Sequence, residues 1–190
     1  FEPYFGSIPP LPAIALVMLV GVVSLGFLRS RGWFEIYTRD SFRGMVFSAT
    51  VATVFGVVQV FTDLIIHFAR DLNVPPPQSL AFYPVMAYVV EASFHALPLV
   101  LLLTVLGPLS KKLNTNVLVW LCFLLVSCLE PIVMMRLGFS AYVGLFVFAF
   151  NLCQLYVFRR YDFVSMYSLR CVYYIEWHIL WGYLRLRLLF

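Results

Sequence analysis

The sequence predicts an all-α fold, a polytopic transmembrane helical bundle with about six spans in a single transmembrane domain, 1–190. Three observations lead there. Of the 190 residues, 63% are hydrophobic and only 12% are charged, which is about half the charge of an ordinary soluble domain. Mean hydropathy is +0.93. The apolar residues fall in continuous runs of roughly 20, the length a helix needs to cross a bilayer, and not in the alternating pattern of a membrane barrel.

The elements follow in order. Residues 1–10 are polar and proline-rich, with Glu2 and Pro9-Pro10, and show no signal-peptide pattern. The first span, 11–28, is uniformly apolar and contains Gly21 and Gly26. A loop follows with Arg29, Arg31, Arg39 and Arg43, where Trp33 and Tyr37 suit the membrane interface. The second span is 44–70. Asp63 and His67 near its end, four residues apart, read as solvated interface residues. Pro75-Pro76-Pro77 marks a loop. The third span, 81–106, carries Glu91 and His95, and a basic loop with Lys111 and Lys112 follows it. The fourth span, 117–135, contains Glu130-Pro131, and the fifth, 139–158, contains Asn151 and Gln154. Arg159-Arg160 closes the fifth. The sixth span is 163–184, with Arg185 and Arg187 beyond it.

Net charge is +4, carried mostly by arginines in short loops. Such a distribution gives no basic face for nucleic acid. It fits the positive-inside rule, with the basic loops after spans one, three and five on the cytoplasmic or matrix side and both termini on the other. A bacterial inner membrane is the expected setting, with the mitochondrial inner membrane as the alternative. Cys122, Cys128, Cys153 and Cys171 make no metal-binding spacing and read as small apolar residues. No nucleophile elbow, GxGxxG, Walker loop or HExxH occurs, and no cofactor is expected.

The informative residues are ionisable ones inside spans, because an unpartnered charge in hydrocarbon is costly. Glu91 and His95 share a helix face. They read either as ligands or an acid/base pair for a metal or water, or as a hydrogen-bonded pair that pins helices. Arg170 needs a counter-ion, and Glu130 or Glu91 is the expected one, with Glu130 and Arg170 reading as a structural ion pair. Tyr174, Glu176 and His178 complete a possible polar chamber. A metal would draw on Glu91, His95, Glu130 and His178, a mixed carboxylate and imidazole set that suits zinc or iron.

Val90-Glu91-Ala92-Ser93-Phe94-His95 in one span, Val126-Ser127-Cys128-Leu129-Glu130 in the next, and Arg170-Cys171-Val172-Tyr173-Tyr174 in the last stand in the order of three family motifs. In that order the chain resembles the CPBP intramembrane proteases, relatives of the CAAX prenyl endopeptidase, whose motifs are EExxxR, FxxxH and HxxxN. Leu155-Tyr156-Val157-Phe158-Arg159-Arg160 resembles the family's lead into its last span. The resemblance runs over residues 83–174 and retains one motif residue, Glu91. Val90 replaces the first Glu, His95 the Arg, Glu130 one His and Arg170 another. It implies a pseudoprotease: the helices kept, the water-activating chemistry lost, and a role as scaffold or regulatory subunit for another integral membrane protein among membrane lipids. Catalysis by Glu91, His95 and Glu130 as a metal-dependent intramembrane peptidase is the alternative. A weaker resemblance, carried by Arg43-Gly44-Met45, Glu130, Tyr142 and the aromatic run from Tyr173 to Trp181, is to subunit III of the haem–copper cytochrome oxidases, and implies an accessory subunit of a respiratory complex.

Overall fold

The computed structural model describes residues 10–108 and 114–190. Glu2 and the loop lysines Lys111 and Lys112 lie outside them. The protein is all-α, and no strand occurs among the described residues. Helix α1 is Pro10–Ser30, α2 is Ser41–Ile66 and α3 is Gln78–Leu106. Helix α4 is Thr115–Arg136 and α5 is Ala141–Arg160. These five are long and apolar enough to span a membrane, the mark of an integral membrane protein. Helix α6 runs from Phe163–Tyr174 through Ile175–Trp181 to Gly182–Leu188. It was expected as a sixth span but is not among the five. Arg170, Glu176, His178 and Arg185 dilute its apolar character.

Helix α2 ends at Ile66, four residues before the expected 70. His67 turns to a positive φ of 49° there, in the left-handed region that closes helices. Helix α3 is α-helical to Val90, widens into a π turn over Glu91–Ala96, and resumes at Leu97. Pro98 explains the position. It has no N–H, and in a regular helix its ring would press on the carbonyl of Phe94. Widening the preceding turn relieves this, and Leu97 N–H bonds five residues back to Ala92. Helix α4 breaks at Cys128 for a related reason, since Pro131 cannot donate to the Ser127 carbonyl.

Two compact units emerge. The first holds Val89–Leu155 and the chain up to Glu35. There α1 packs on the π turn of α3 and on the helix after it, and α4 packs on the same segment. Leu28, Leu99, Phe123 and Val126 are fully buried, and the Phe34 ring lies 6.1 Å from that of Phe123.

The second unit holds Ile36–Tyr88 and Tyr156–Phe190. Its centre is the packing of α2 against α6. The buried face of α2 is Ser41, Gly44, Ser48, Ala52, Gly56, Gln59 and Asp63. Small residues at every fourth position let two backbones approach closely, the usual way of packing helices where lipid supplies no hydrophobic drive. Ser48 Oγ donates to the Ser165 carbonyl at 2.8 Å. A Cβ on Gly44 would come within 2.9 Å of Tyr161 Cβ and collide with the Ser165 hydroxyl.

Asp162 fixes the start of both helices. Its Oδ1 accepts from Ser165 N and Oγ, each at 2.8 Å, and so caps α6. Its Oδ2 accepts from Thr38 N at 2.9 Å, Thr38 Oγ1 at 3.0 Å and Ser41 Oγ. Burial pushes the carboxyl up, but the hydrogen bonds from Ser41, Ser165 and Thr38 outweigh it. They hold the carboxyl below its ordinary value of 3.8.

Two outcomes are expected. Gly44→Val forces α2 from α6 and lowers thermal stability in detergent by the cost of an overpacked contact, about 1–3 kcal/mol. Gly26→Val, where nothing lies within 4 Å, is the neutral control. Because the folded pKa of Asp162 is lowered, its stabilisation is complete above the unfolded value. It is lost as pH falls through the folded value, below about pH 4. Asp162→Asn flattens that acid limb of a pH–stability profile, and an unchanged limb would contradict the assignment.

Candidate functional site

In the first unit, the π turn places Glu91 and His95 side by side. Both are 0% exposed. His95 Nδ1 lies 2.7 Å from Glu91 Oε2, and Gln154 of α5 donates its Nε2 hydrogen to Glu91 Oε1. Asn151, three residues before Gln154 and therefore near the same face of α5, is also fully buried. The sequence showed both amides but gave them no role. Gln154 binds a residue 63 positions away, which local spacing cannot reveal. The Nε2 of His95 is buried and has no hydrogen-bond partner among the described residues. Glu130 is 7% exposed in the first turn after the break in α4.

Arg170, Tyr174, Glu176 and His178 belong to the second unit. Arg170 is nearly buried and reaches the Tyr174 hydroxyl at 3.4 Å, with its guanidinium 5.8 Å from the ring centroid. His178 is held by aromatic rings. Tyr83 stacks on it at 4.6 Å and Tyr174 meets it edge-on at 5.0 Å. His178 Nδ1 lies 2.7 Å from Asn73 Oδ1, so its hydrogen goes to the amide oxygen. Tyr174 thus joins Arg170 and His178 in one cluster. Glu176 faces α2 instead, and accepts from Thr53 Oγ1 at 2.6 Å. Its Oε2 fills the space a Cβ on Gly56 would need, 2.7 Å away. His178 and Glu176 both lie in a second π turn, Ile175–Trp181, closed by Gly182 N–H bonding to Trp177 O.

A third cluster corrects an expectation. Asp63 is not a solvated interface residue: it is fully buried, as is Arg185. Arg185 Nε donates to Asp63 Oδ2 at 2.6 Å, and its second terminal nitrogen donates to Oδ1 at 2.9 Å. Trp181 Nε1 adds a 2.7 Å bond to Oδ2, and Phe68 N adds a 2.8 Å bond to Oδ1. Two of the three remaining guanidinium hydrogens reach the carbonyls of Ala69 at 2.8 Å and Phe68 at 2.6 Å. His67, in contrast, is exposed.

Chemically, the Asp63 cluster is densely hydrogen-bonded and structural. The Glu91 site is tightly held by an ion-pair contact of His95 Nδ1, and neither imidazole nitrogen makes a well-directed hydrogen bond among the described residues. Among the described residues, no three His, Cys, Asp or Glu side chains come together as a metal ion would need. None of the four cysteines is in a disulfide.

Removing Asp63 strands a buried guanidinium. Asp63→Ala is expected to destabilise the chain by about 3–5 kcal/mol, and Asp63→Leu with Arg185→Met to recover most of that loss. Chemical denaturation in detergent measures both. Recovery is the informative result, since a cluster that also bound a ligand would lose function in the stable double variant.

No family model, curated protein or solved structure matches this chain.

Proposed function

We infer that this chain is a non-catalytic, CPBP-like integral membrane protein that holds or regulates another membrane protein. The observation that carries this reading is the condition of Glu91. Its carboxylate is wholly buried, accepts from Gln154 and lies 2.7 Å from His95. A general base must reach a water and a substrate in turn, whereas a carboxylate enclosed in this way ties helices together. The motif residues support the same reading. Val90 offers no second carboxylate, and Arg170 stays protonated and cannot serve as a base. The setting that fits is a bacterial inner membrane, with the basic loops after spans one, three and five on the cytoplasmic side.

One observation favours a second reading, a metal-dependent peptidase using Glu91, His95 and Glu130. His95 Nε2 is buried without a hydrogen-bond partner among the described residues, which leaves a lone pair for a ligand. It ranks second because no third ligand stands with the pair in a metal-holding group among those residues.

The test is purification of the tagged chain in mild detergent, followed by mass spectrometry, metal analysis and a peptide-hydrolysis assay on one sample. A stoichiometric membrane partner without hydrolysis is expected, and Glu91→Gln should keep that partner. Hydrolysis lost in Glu91→Gln overturns the proposal. About one metal per chain, lost in His95→Ala, establishes the peptidase. Haem-bearing partner chains identify an oxidase accessory subunit.

A further inference from the structure

We propose that the first unit carries a binding site for one anionic phospholipid, with an acyl chain lying between α1 and α3 and the phosphate at Arg31 and Arg29. An apolar groove of about 340 Å³ runs along α1 and is closed on its other side by α3. Leu19, Val20, Val23 and Phe27 line one wall and Leu97 and Val100 the other. Leu19 and Val23 are 61% and 63% exposed, so the groove opens sideways from the unit. Leu19 to Phe27 is a rise of eight residue steps, about 12 Å along a helix. That suits an extended hydrocarbon chain and is too short for a second membrane-spanning helix to bury its full length.

The end of the groove at Phe27 selects the headgroup. The Arg31 guanidinium lies over the Phe27 ring, 5.1 Å from its centroid, and Trp33 meets the same ring edge-on at 6.0 Å. Arg29 stands in the last turn of α1, its side chain 66% exposed and only loosely engaged with Glu35 at 3.8 Å. Two arginines at a helix end beside an indole mark the headgroup level of a bilayer, where each basic residue adds attraction for anionic lipid. The carbonyl end of α1 is weakly repulsive to an anion, and Arg29 and Arg31 keep the local charge positive against it even with Glu35 counted. An acyl chain entering here therefore has its phosphate at the arginines and its tail directed toward Leu19.

The full chain in nanodiscs of mixed phosphatidylglycerol and phosphatidylcholine, released for native mass spectrometry, tests this. One phosphatidylglycerol should be retained in preference to phosphatidylcholine. Each arginine contributes roughly fivefold to that preference. Arg31→Gln is expected to cut the preference by about that factor while retaining some lipid, and Val23→Trp, which fills the groove from its exposed side, to abolish retention of both lipids. Thermal stability of each variant checks folding, and Val22→Trp, on an exposed residue outside the groove, controls for added bulk. Equal retention of the two lipids by the unaltered chain overturns the headgroup assignment. Full retention in folded Val23→Trp overturns the groove. A dimer that Val23→Trp dissociates, with no lipid retained, identifies a second copy as the occupant and overturns the proposal.

Discussion

Arg185 depends wholly on Asp63. A guanidinium fully removed from water has no stable place in an apolar protein unless a carboxylate and enough carbonyls meet its hydrogens. Asp63, Phe68 and Ala69 supply them. To do so, α2 must stop at Ile66 and the chain must bend back over the last turns of α6. The same carboxylate collects Trp181 and Phe68 N, so the register of α6 against α2 is fixed at this end by one residue. Asp162 fixes it at the other, by accepting from Ser41 in the first turn of α2 and from Ser165 in the first turn of α6. Between these two ionic ends the contact is made by small side chains on α2. The second unit is thus a close helix pair with polar locks at its ends.

The first unit solves the same problem differently. Glu91 is met there by a neutral amide and an imidazole, both from helix interiors. The π turn that Pro98 imposes sets both residues in the widened turn. In each unit a Glu and a His, those of α3 and those of α6, fall within a π turn. Such turns are uncommon in helices generally and recur where polar groups are placed for a purpose.

Much of the fold was legible in the sequence. Apolar runs gave five of the helices to within a few residues, and Glu91 and His95 were paired by spacing alone. The small-residue face of α2 was equally present in the spacing of Gly44, Ser48, Ala52 and Gly56, a signal the hydropathy of the segment masks. Other features were beyond local reading. Asp63 looks solvated because it lies near a span end, and nothing nearby announces that Arg185, 122 residues on, will bury it. Gln154 looks like any amide in a helix until Glu91 is placed beside it. Helix α6 reads as a span by its aromatics, but its polar residues serve contacts within the second unit.

The π turn of α3 also bears on how this chain can change length. An i to i+5 bond holds one residue more than an α turn requires. The segment Glu91–Ala96 therefore stores a surplus residue inside an otherwise regular rod. Losing one residue there would return α3 to ordinary pitch and leave the faces before and after it nearly in register, because six residues at π spacing turn through about the same angle as five at α spacing. The same loss from the regular stretch Leu97–Leu106 would turn the residues beyond it by about 100°. A deletion in this turn should consequently keep Leu99 and Leu103 in the core, and its cost falls on the Pro98 ring.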